Sequence, residues 1–552
     1  MNNFRQDVAD APYAGQPSLL DALTGDLTAM DYTVDGVESF LGADAHAALG
    51  RDQPVPAQLA CAAGLRGGEQ APIAAAALLW LLGGALDSAT LRRAFPRTGA
   101  AGLEALRLIE AAPSKQAPDK QAPDERAPRQ WRASADLRPY ASDVGGGLWV
   151  ASDVGAAHRP GVLRRDHVLG IGGASLTLAQ FTVRAPLERA LDLGTGCGIQ
   201  AFHLLAHARH VTATDISVRA LAFTRFNLLL NAATLGIDRT DPGARVSLRQ
   251  GNLLEPVRGE TFDLIVSNPP FVITPRTPED TAGSIYSYRD AGLTGDAVVM
   301  GLLRDLPGFL VPGGAAQLLA NWEVRGSAAW TERLRGVLDA PSAPAGAIDA
   351  WIIQRELLPP MEYAETWLRD ASGQRDPAAH ASDYAAYLDD FSARQVTGIG
   401  FGLVWLRRSA PNEAGVQAAG GLRCFEQLTH EVEQPLAPHV ARAVERRDWL
   451  AGHQIYTQRL TVASDVTEER HQRPGAEHPG VILLRQGAGF RRTTLLSTEL
   501  AGLVSTCDGE LSVGQIASAL AGLLGREDPA FQQKLLRETA ALVEDGFLIP
   551  AT

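Results

Sequence analysis

The sequence predicts an α/β fold with a mostly parallel sheet covered by helices on both faces, and three observations predict it. Five short apolar runs alternate with helical stretches: RALDLG (Arg189 to Gly194), VTATD (Val211 to Asp215), RVSLRQ (Arg245 to Gln250), FDLIVSN (Phe262 to Asn268) and AAQLLAN (Ala315 to Asn321). Runs of this kind suit strands buried on both sides. The first ends in LDLGTGCGIQ (Leu191 to Gln200), with glycines at alternate positions, and the fourth ends in SNPPF (Ser267 to Phe271). About a dozen residues separate the third and fourth strands, near the minimum for a crossover. Later strands are expected at AWIIQRE (Ala350 to Glu356), GIGFGLVWLRR (Gly398 to Arg408) and LRCFEQLTH (Leu422 to His430), with helices between the first two.

At 552 residues the chain exceeds one ordinary core, and domain sizes suggest roughly three or four units. Residues 1–111 are rich in Ala and Leu at helical spacing, as in LLDAL (Leu19 to Leu23) and LEALRLIE (Leu103 to Glu110), and predict a helical N-terminal domain. Within it IAAAALLWLLGGAL (Ile73 to Leu86) reads as a buried helix, because a spanning helix needs roughly 20 apolar residues. Residues 112–130 repeat KQAPD in tandem, and their prolines and charges predict a flexible linker. Residues 131–184 hold short extended pieces, LWVAS (Leu148 to Ser152) and HVLGIG (His167 to Gly172), and predict a β-rich connector. The α/β domain follows over 185–430, then a connector over 431–479 and a C-terminal domain over 480–552. In that last stretch, helical TELAGLVSTC (Thr498 to Cys507), a turn at Gly509, Ser512 as an N-cap and two further helices follow the order of a winged helix. Few basic residues lie in its second and third helices, which predicts docking or structural support rather than DNA binding.

A formal net charge of −13 argues against a chain that coats nucleic acid through bulk electrostatics. The pairs Arg164-Arg165, Arg407-Arg408, Arg446-Arg447 and Arg491-Arg492 are dispersed and read as solvated surface. Cys61, Cys197, Cys424 and Cys507 stand far apart with no CxxC or Cys/His cluster, so neither a disulfide framework nor a metal site is expected. His203 and His207, spaced i and i+4, read as ordinary helix-surface residues rather than metal ligands. The opening MNNFRQDVAD lacks a basic segment leading into an apolar one, which predicts a cytoplasmic protein.

The glycine turn is the first candidate site. Gly194, Gly196 and Gly198 let backbone pass close to a ligand, and the helix starting near Ile199 aims its first amides the same way. A dinucleotide fingerprint would need glycine at 199, where isoleucine stands, so NAD is disfavoured. Asp215 ends the second strand, where a carboxylate accepts hydrogen bonds from ribose hydroxyls. Asn252 follows the third strand and suits an adenine edge, with Ile216 and Leu253 offering apolar faces to the ring.

The second candidate is SNPPF. An amide or aromatic exocyclic nitrogen is a poor nucleophile because its lone pair is delocalised. If the Asn268 side-chain oxygen and the Pro269 carbonyl accept its two N–H groups, the lone pair turns outward toward an electrophile. Pro269 and Pro270 bring no competing N–H and stiffen the loop, and Phe271 offers a stacking face. The plainer alternative is that NPPF caps a strand, with Asn268 making a local turn bond.

With Asp192, Gly194, Gly196, Gly198 and Asp215 in register, the sequence resembles the class I S-adenosylmethionine-dependent methyltransferases, whose first motif reads here as DLGTGCG. The resemblance covers about residues 160–430. It implies a Rossmann-like sheet of seven strands with one antiparallel strand at its edge, S-adenosyl-L-methionine as cofactor, and Asp192 near the methionine amino group. NPPF followed by VITP (Val272 to Pro275), then Tyr288, Arg289, Asp290, Gly292, Gly295 and Asp296, is similar to the glutamine N5-methyltransferases that modify release factors. Those enzymes usually carry tyrosine after NPP, whereas Phe271 resembles the adenine-N6 and guanine-N2 RNA methylases. The expected function is therefore methyl transfer to a planar NH2. The leading acceptor is a glutamine amide in a translation protein, with an exocyclic amine of rRNA or tRNA as the alternative. A non-catalytic adaptor that keeps the fold is the reading from another class.

Overall fold

In a computed structural model of the chain, the described residues are 7–113, 129–142, 145–155, 158–159, 164, 166–270, 272–275, 294–340, 347–370, 377–410, 421–526 and 528–551. The KQAPD repeats lie outside them. The chain divides into two units, Met1–Ala179 with Ala185–Gln427, and Gln180–Arg184 with Leu428–Thr552.

The five apolar runs form strands β1 (Leu187–Leu193), β2 (Ala208–Asp215), β3 (Val246–Gln250), β4 (Phe262–Ser267) and β5 (Leu310–Arg325), and the three later runs form β6 (Ile348–Leu358), β7 (Val396–Arg408) and β8 (Arg423–Gln427). Helices α1 (Ile199–Leu205), α2 (Val218–Leu230), α3 (Ala297–Asp305), α4 (Thr331–Leu338), α5 (Pro360–Asp370) and α6 (Pro377–Ala393) separate them. All eight strands join one sheet in the order β8-β6-β7-β5-β4-β1-β2-β3. The short link from β3 to β4 is no obstacle. β3 stands at the edge and β4 beside β1, so the chain returns past two strands through the single turn Glu255–Val257 rather than closing a crossover to a neighbour.

The far half of the sheet departs from the expected seven strands. β7 runs antiparallel to both β5 and β6, so the antiparallel strand lies inside the sheet, and β8 adds a parallel edge. Asp349 explains the eighth strand. Its buried carboxylate accepts the Leu422 N–H at 2.8 Å and pairs with Arg407 at 2.8 Å, drawing residue 422 alongside β6. The core under this half is built around Trp322, which is fully buried and stacks on Trp330 at 5.6 Å.

The run from Ile73 to Leu86 is buried, but it is not one helix. An α-helix over Ala71–Ala76 passes into a π-helix over Ala77–Leu81 that seats Trp80 edge-on against Phe95 at 5.4 Å, and Ala85–Asp87 is a strand. That strand and Ile109–Ala111 flank Gln130–Ala133, so the chain on either side of residues 114–128 meets in one small sheet. Beyond it a hairpin of Asp136–Ala141 and Gly147–Ser152 lies on α2. Two buried asparagines on α2 hold it there. Asn227 accepts the Ala151 N–H at 2.7 Å and donates to the Ala151 and Cys197 carbonyls at 2.9 and 2.8 Å, while Asn231 accepts the Trp149 N–H at 2.9 Å.

Two surface expectations are corrected. His203 is buried and meets the Tyr140 hydroxyl at 2.6 Å, because α1 lies between the sheet and the hairpin rather than facing water. Most of the arginine pairs point inward. Arg408 donates to the Leu310 carbonyl at 2.9 Å, Arg447 pairs with Glu544 at 2.9 Å, and buried Arg492 donates to the Asp545 carbonyl at 3.2 Å. Burial and the neighbouring Arg492 push half-buried Arg446 down to about 10. Arg164, bonded to Asp166 at 3.0 Å, and Arg491 lie in the open as expected. Cys61, Cys197 and Cys507 are free, and among the described residues no helix is long and apolar enough to cross a membrane.

In the second unit, strands Asp508–Ser512, Arg459–Val462 and Leu548–Pro550 form one sheet, and Val466–His471, Val481–Gln486 and Thr493–Leu496 form another. Helices Thr498–Ser505, Val513–Leu523 and Pro529–Asp545 pack around Leu503, Val513, Val543 and Phe547, all buried. Ser512 is an N-cap, and with Gln515 it closes a reciprocal capping box. Ser512→Ala is expected to cost this unit about 1 kcal/mol, read as a lower denaturation midpoint for its transition alone.

Candidate active site

The site is built where the parallel strands end together. Leu193 of β1 pairs with Thr214 of β2 on one side and with Ser267 of β4 on the other, and Asp215 pairs with Gln250 of β3. The next residue along β1, β2 or β4 is therefore Gly194, Asp215 or Asn268. Ser267 fastens two of these turns together, its hydroxyl donating to the Leu193 carbonyl at 2.8 Å.

The glycine turn folds back on β2, with the Gly194 and Thr195 amides both donating to the Thr214 carbonyl at 2.9 Å. Gly194 and Gly196 hold φ of 78° and 58°, and a Cβ on either would project into open space. Gly198 has another task. A Cβ there would meet the Thr224 methyl at 3.1 Å, so this glycine lets α1 close on α2. Asp192 sits beneath the turn rather than on the cavity wall. Its Oδ2 accepts the Thr195 hydroxyl at 2.6 Å and the Ala201 amide at 3.1 Å, and burial pushes its carboxyl up to about 7.

Asp215 accepts the Gly196 amide at 3.0 Å through one oxygen and the Ser217 amide at 2.8 Å through the other, fixing the turn from its far side. Burial raises its carboxyl above the usual range. Each oxygen keeps a lone pair for a ligand. Leu253 takes a φ of 45°, which a branched side chain seldom adopts. Ile216 is an apolar side chain left 52% exposed.

Gly194, Gly196, Asp215, Ile216, Asn252, Leu253, Asn268, Pro269 and Pro270 line one cavity of about 590 Å³, a volume that suits a nucleoside-sized ligand. Among the described residues no group hydrogen-bonds the Asn268 side chain. The local turn bond of the plainer alternative is not made among these residues. Phe271, Tyr288, Arg289, Asp290 and Gly292 lie outside the described residues; Asp296 is described and lines a neighbouring cavity, paired with Arg333 at 2.8 Å.

A whole wall was not apparent in the sequence. Residues 166–172, with Ala174 and Ser175, face the glycine turn across the cavity. Asp153 holds this wall. It binds Arg219 of α2 through both oxygens, accepts the Val168 amide at 2.8 Å and stands 3.6 Å from His167, all three side chains being buried. Gln200 ties the other end by donating to the Ser175 carbonyl at 2.8 Å. Leu169 remains 52% exposed on the cavity side, a second apolar face opposite Ile216.

With this geometry in view, the methyltransferase small domain family matches residues 156–294, the stretch that supplies most of the cavity. This is a class I methyltransferase domain. A domain of unknown function (DUF7059) matches residues 29–119. Among curated proteins, a release factor glutamine methyltransferase from Moorella thermoacetica is 39% identical over 153 residues, which is 25% of this chain and 50% of that protein. A ribosomal protein uL3 glutamine methyltransferase from Bradyrhizobium diazoefficiens is 34% identical over 160 residues, 28% of this chain and 46% of its own. The chain thus spans about half the length of the curated relatives it matches. Among solved structures, a methyltransferase from Pyrococcus furiosus aligns with 46% of this chain and 92% of its own at 16% identity and a TM-score of 0.24, a global likeness too slight to argue from.

The cofactor of the methyltransferase domain is S-adenosyl-L-methionine, and the residues present fit it. The space over Gly194 and Gly196 is open, a single Cβ would enter it, and the exposed apolar surfaces of Ile216 and Leu169 line the same cavity. Asp215 and Asn252 stand beside them as hydrogen-bonding groups on the same cavity wall.

Gly196→Ala, which adds a Cβ at positive φ inside this space, is expected to weaken cofactor binding roughly 10-fold or more, measured by titration calorimetry. Asp153→Asn leaves Arg219 buried without its anion and is expected to cost about 3–5 kcal/mol, measured by chemical denaturation. Asp192 yields a pH test. Its folded carboxyl, up to about 7, exceeds the unfolded value, so its stabilising contribution is complete below the unfolded value and is lost as pH rises through the folded one. Asp192→Asn is accordingly expected to raise the melting temperature of the ligand-free protein more at pH 8 than at pH 5.

Proposed function

We propose that this chain is an S-adenosylmethionine-dependent N-methyltransferase that modifies a planar NH2, specifically a glutamine side-chain amide of a protein of the translation machinery. The observation that carries the reading is the Asn268 amide, which has no hydrogen-bond partner among the described residues and lines the same cavity as the glycine turn, one residue past the Ser267–Leu193 bond. When bound, the cofactor supplies an electrophilic methyl group.

The chain's own groups deal with the acceptor nitrogen. Asn268 Oδ1 and the Pro269 carbonyl accept its two N–H bonds, which draws the nitrogen out of conjugation and leaves its lone pair facing the cavity. A base is not needed, because the nitrogen becomes acidic only as the new bond forms, and its proton then leaves along an existing hydrogen bond. Pro269 and Pro270 contribute no N–H to compete for the acceptor carbonyl. The buried surfaces of Pro269 and Val272 exclude water from one side of the clamp. The names of the curated relatives support glutamine as the acceptor, and the acidic balance of the chain supports a protein partner over RNA. A partner of this kind places the enzyme in the cytoplasm.

The test is incubation of the full chain with methyl-labelled cofactor and separated translation-factor and ribosomal fractions, followed by protease or nuclease. Label lost to protease and kept through nuclease is the expected result; the reverse assigns an RNA base as the acceptor and overturns the glutamine reading. Asn268→Ala is expected to lower transfer on the order of 100-fold with cofactor affinity within a few fold. Asp215→Ala is expected to weaken cofactor binding on the order of 10-fold or more. Wild-type transfer by Asn268→Ala would remove the clamp from the mechanism.

A further inference from the structure

We propose that Tyr363 is the positioning residue of the clamp, a role that rests on the function proposed above. The Asn268–Pro270 segment has an unusual problem of attachment. Two successive prolines lack the N–H by which a strand end is normally fastened, and Asn268 must leave its own side chain unengaged to work. The chain therefore has to be held from further along. Ile273, three positions beyond Pro270, donates its amide N–H to the Tyr363 hydroxyl at 2.8 Å.

Tyr363 is a fixed point. It is fully buried on α5, stacked on Phe401 of β7 at 5.8 Å and 26°, and met edge-on by Phe391 of α6 at 5.6 Å and 83°. Rings from a neighbouring helix and a strand thus determine where its oxygen stands. Burial drives its hydroxyl far above the usual range, so it stays neutral at every working pH and keeps its acceptor lone pairs. Asn321 also donates to this oxygen at 3.4 Å. Asn321 lies three residues past Leu318, the partner of Ser267 in the β5–β4 register. The hydroxyl consequently measures the clamp segment against the sheet from which it emerges. Ile273 and Val272 are both buried, so the attachment is shielded from water.

The helices that present Tyr363, α5 and α6, are inserted between β6 and β7, and none of their described residues lines the cavity. They meet the segment through this hydroxyl and through the apolar cluster that also buries the Ile273 side chain.

Tyr363→Phe in the full-length chain keeps the ring and removes the acceptor. The expected results are an Ile273 amide that exchanges with deuterium at least ~10-fold faster, S-adenosylhomocysteine affinity within ~2-fold, and a kcat for the labelled acceptor fraction lowered ~10-fold or more. Leu334→Ala opens the core behind α4, in which Leu334 is fully buried, and touches neither the Tyr363 cluster nor the cavity wall. It is expected to lower the melting temperature at least as far while keeping kcat within ~2-fold. Unchanged exchange of Ile273 in Tyr363→Phe, full kcat despite faster exchange, or an equal kcat loss in Leu334→Ala overturns the proposal. A wild-type chain that labels no acceptor overturns the function proposed above instead, and the exchange rate still decides whether Tyr363 holds the segment.

Discussion

The parallel register that sets Leu193 between Thr214 and Ser267 is the constraint on which the rest depends. Side chains alternate between the faces of a sheet, so slipping one strand by a residue would turn its site side chain to the opposite face. With the register kept, a glycine turn, a carboxylate and an asparagine amide emerge from neighbouring strands at one level. The Ser267 hydroxyl adds a direct bond across two of those ends, so the turns share a frame and do not move as separate loops.

Around this frame, three aspartates divide the labour. Asp192 is buried under the glycine turn and organises it from below, Asp215 fixes the same turn from the side and shows a face to the cavity, and Asp153 anchors the opposite wall through Arg219. Each buried anion is costly unless compensated. Asp153 is compensated by a full cation, whereas Asp192 and Asp215 receive only hydrogen bonds, and their carboxyls are raised accordingly. Among the described residues the glycine turn is thus held by two acids that no cation pairs with.

The near half of the sheet was legible in the sequence because its signals are local. Short apolar runs mark β1 to β5, alternate glycines mark the turn, and a double proline marks the end of β4. What escaped was carried by pairs distant in sequence. Asp153 and Arg219 lie 66 residues apart, and Ile273 and Tyr363 lie 90 apart, with no periodicity to join them. The inward arginines failed for a related reason: a pair of arginines looks solvated until a carbonyl or carboxylate from another element is seen to receive it. The histidine pair misled in the same way, since spacing identifies a helical face but not what covers it. The place of β8 beside β6 depended on Asp349 holding residue 422, 73 positions away and beyond any local window.

Asn227 and Asn231 bind the hairpin before the sheet so closely that the methyltransferase fold has no clean beginning at its first strand. A fragment started there would strip main-chain partners from two amides in the interior, and through the Cys197 carbonyl it would disturb the glycine turn itself. The minimal autonomous piece that keeps the site must therefore reach upstream to include residues 136–152, and proteolytic trimming that stops short of the hairpin should be the last cut the fold survives.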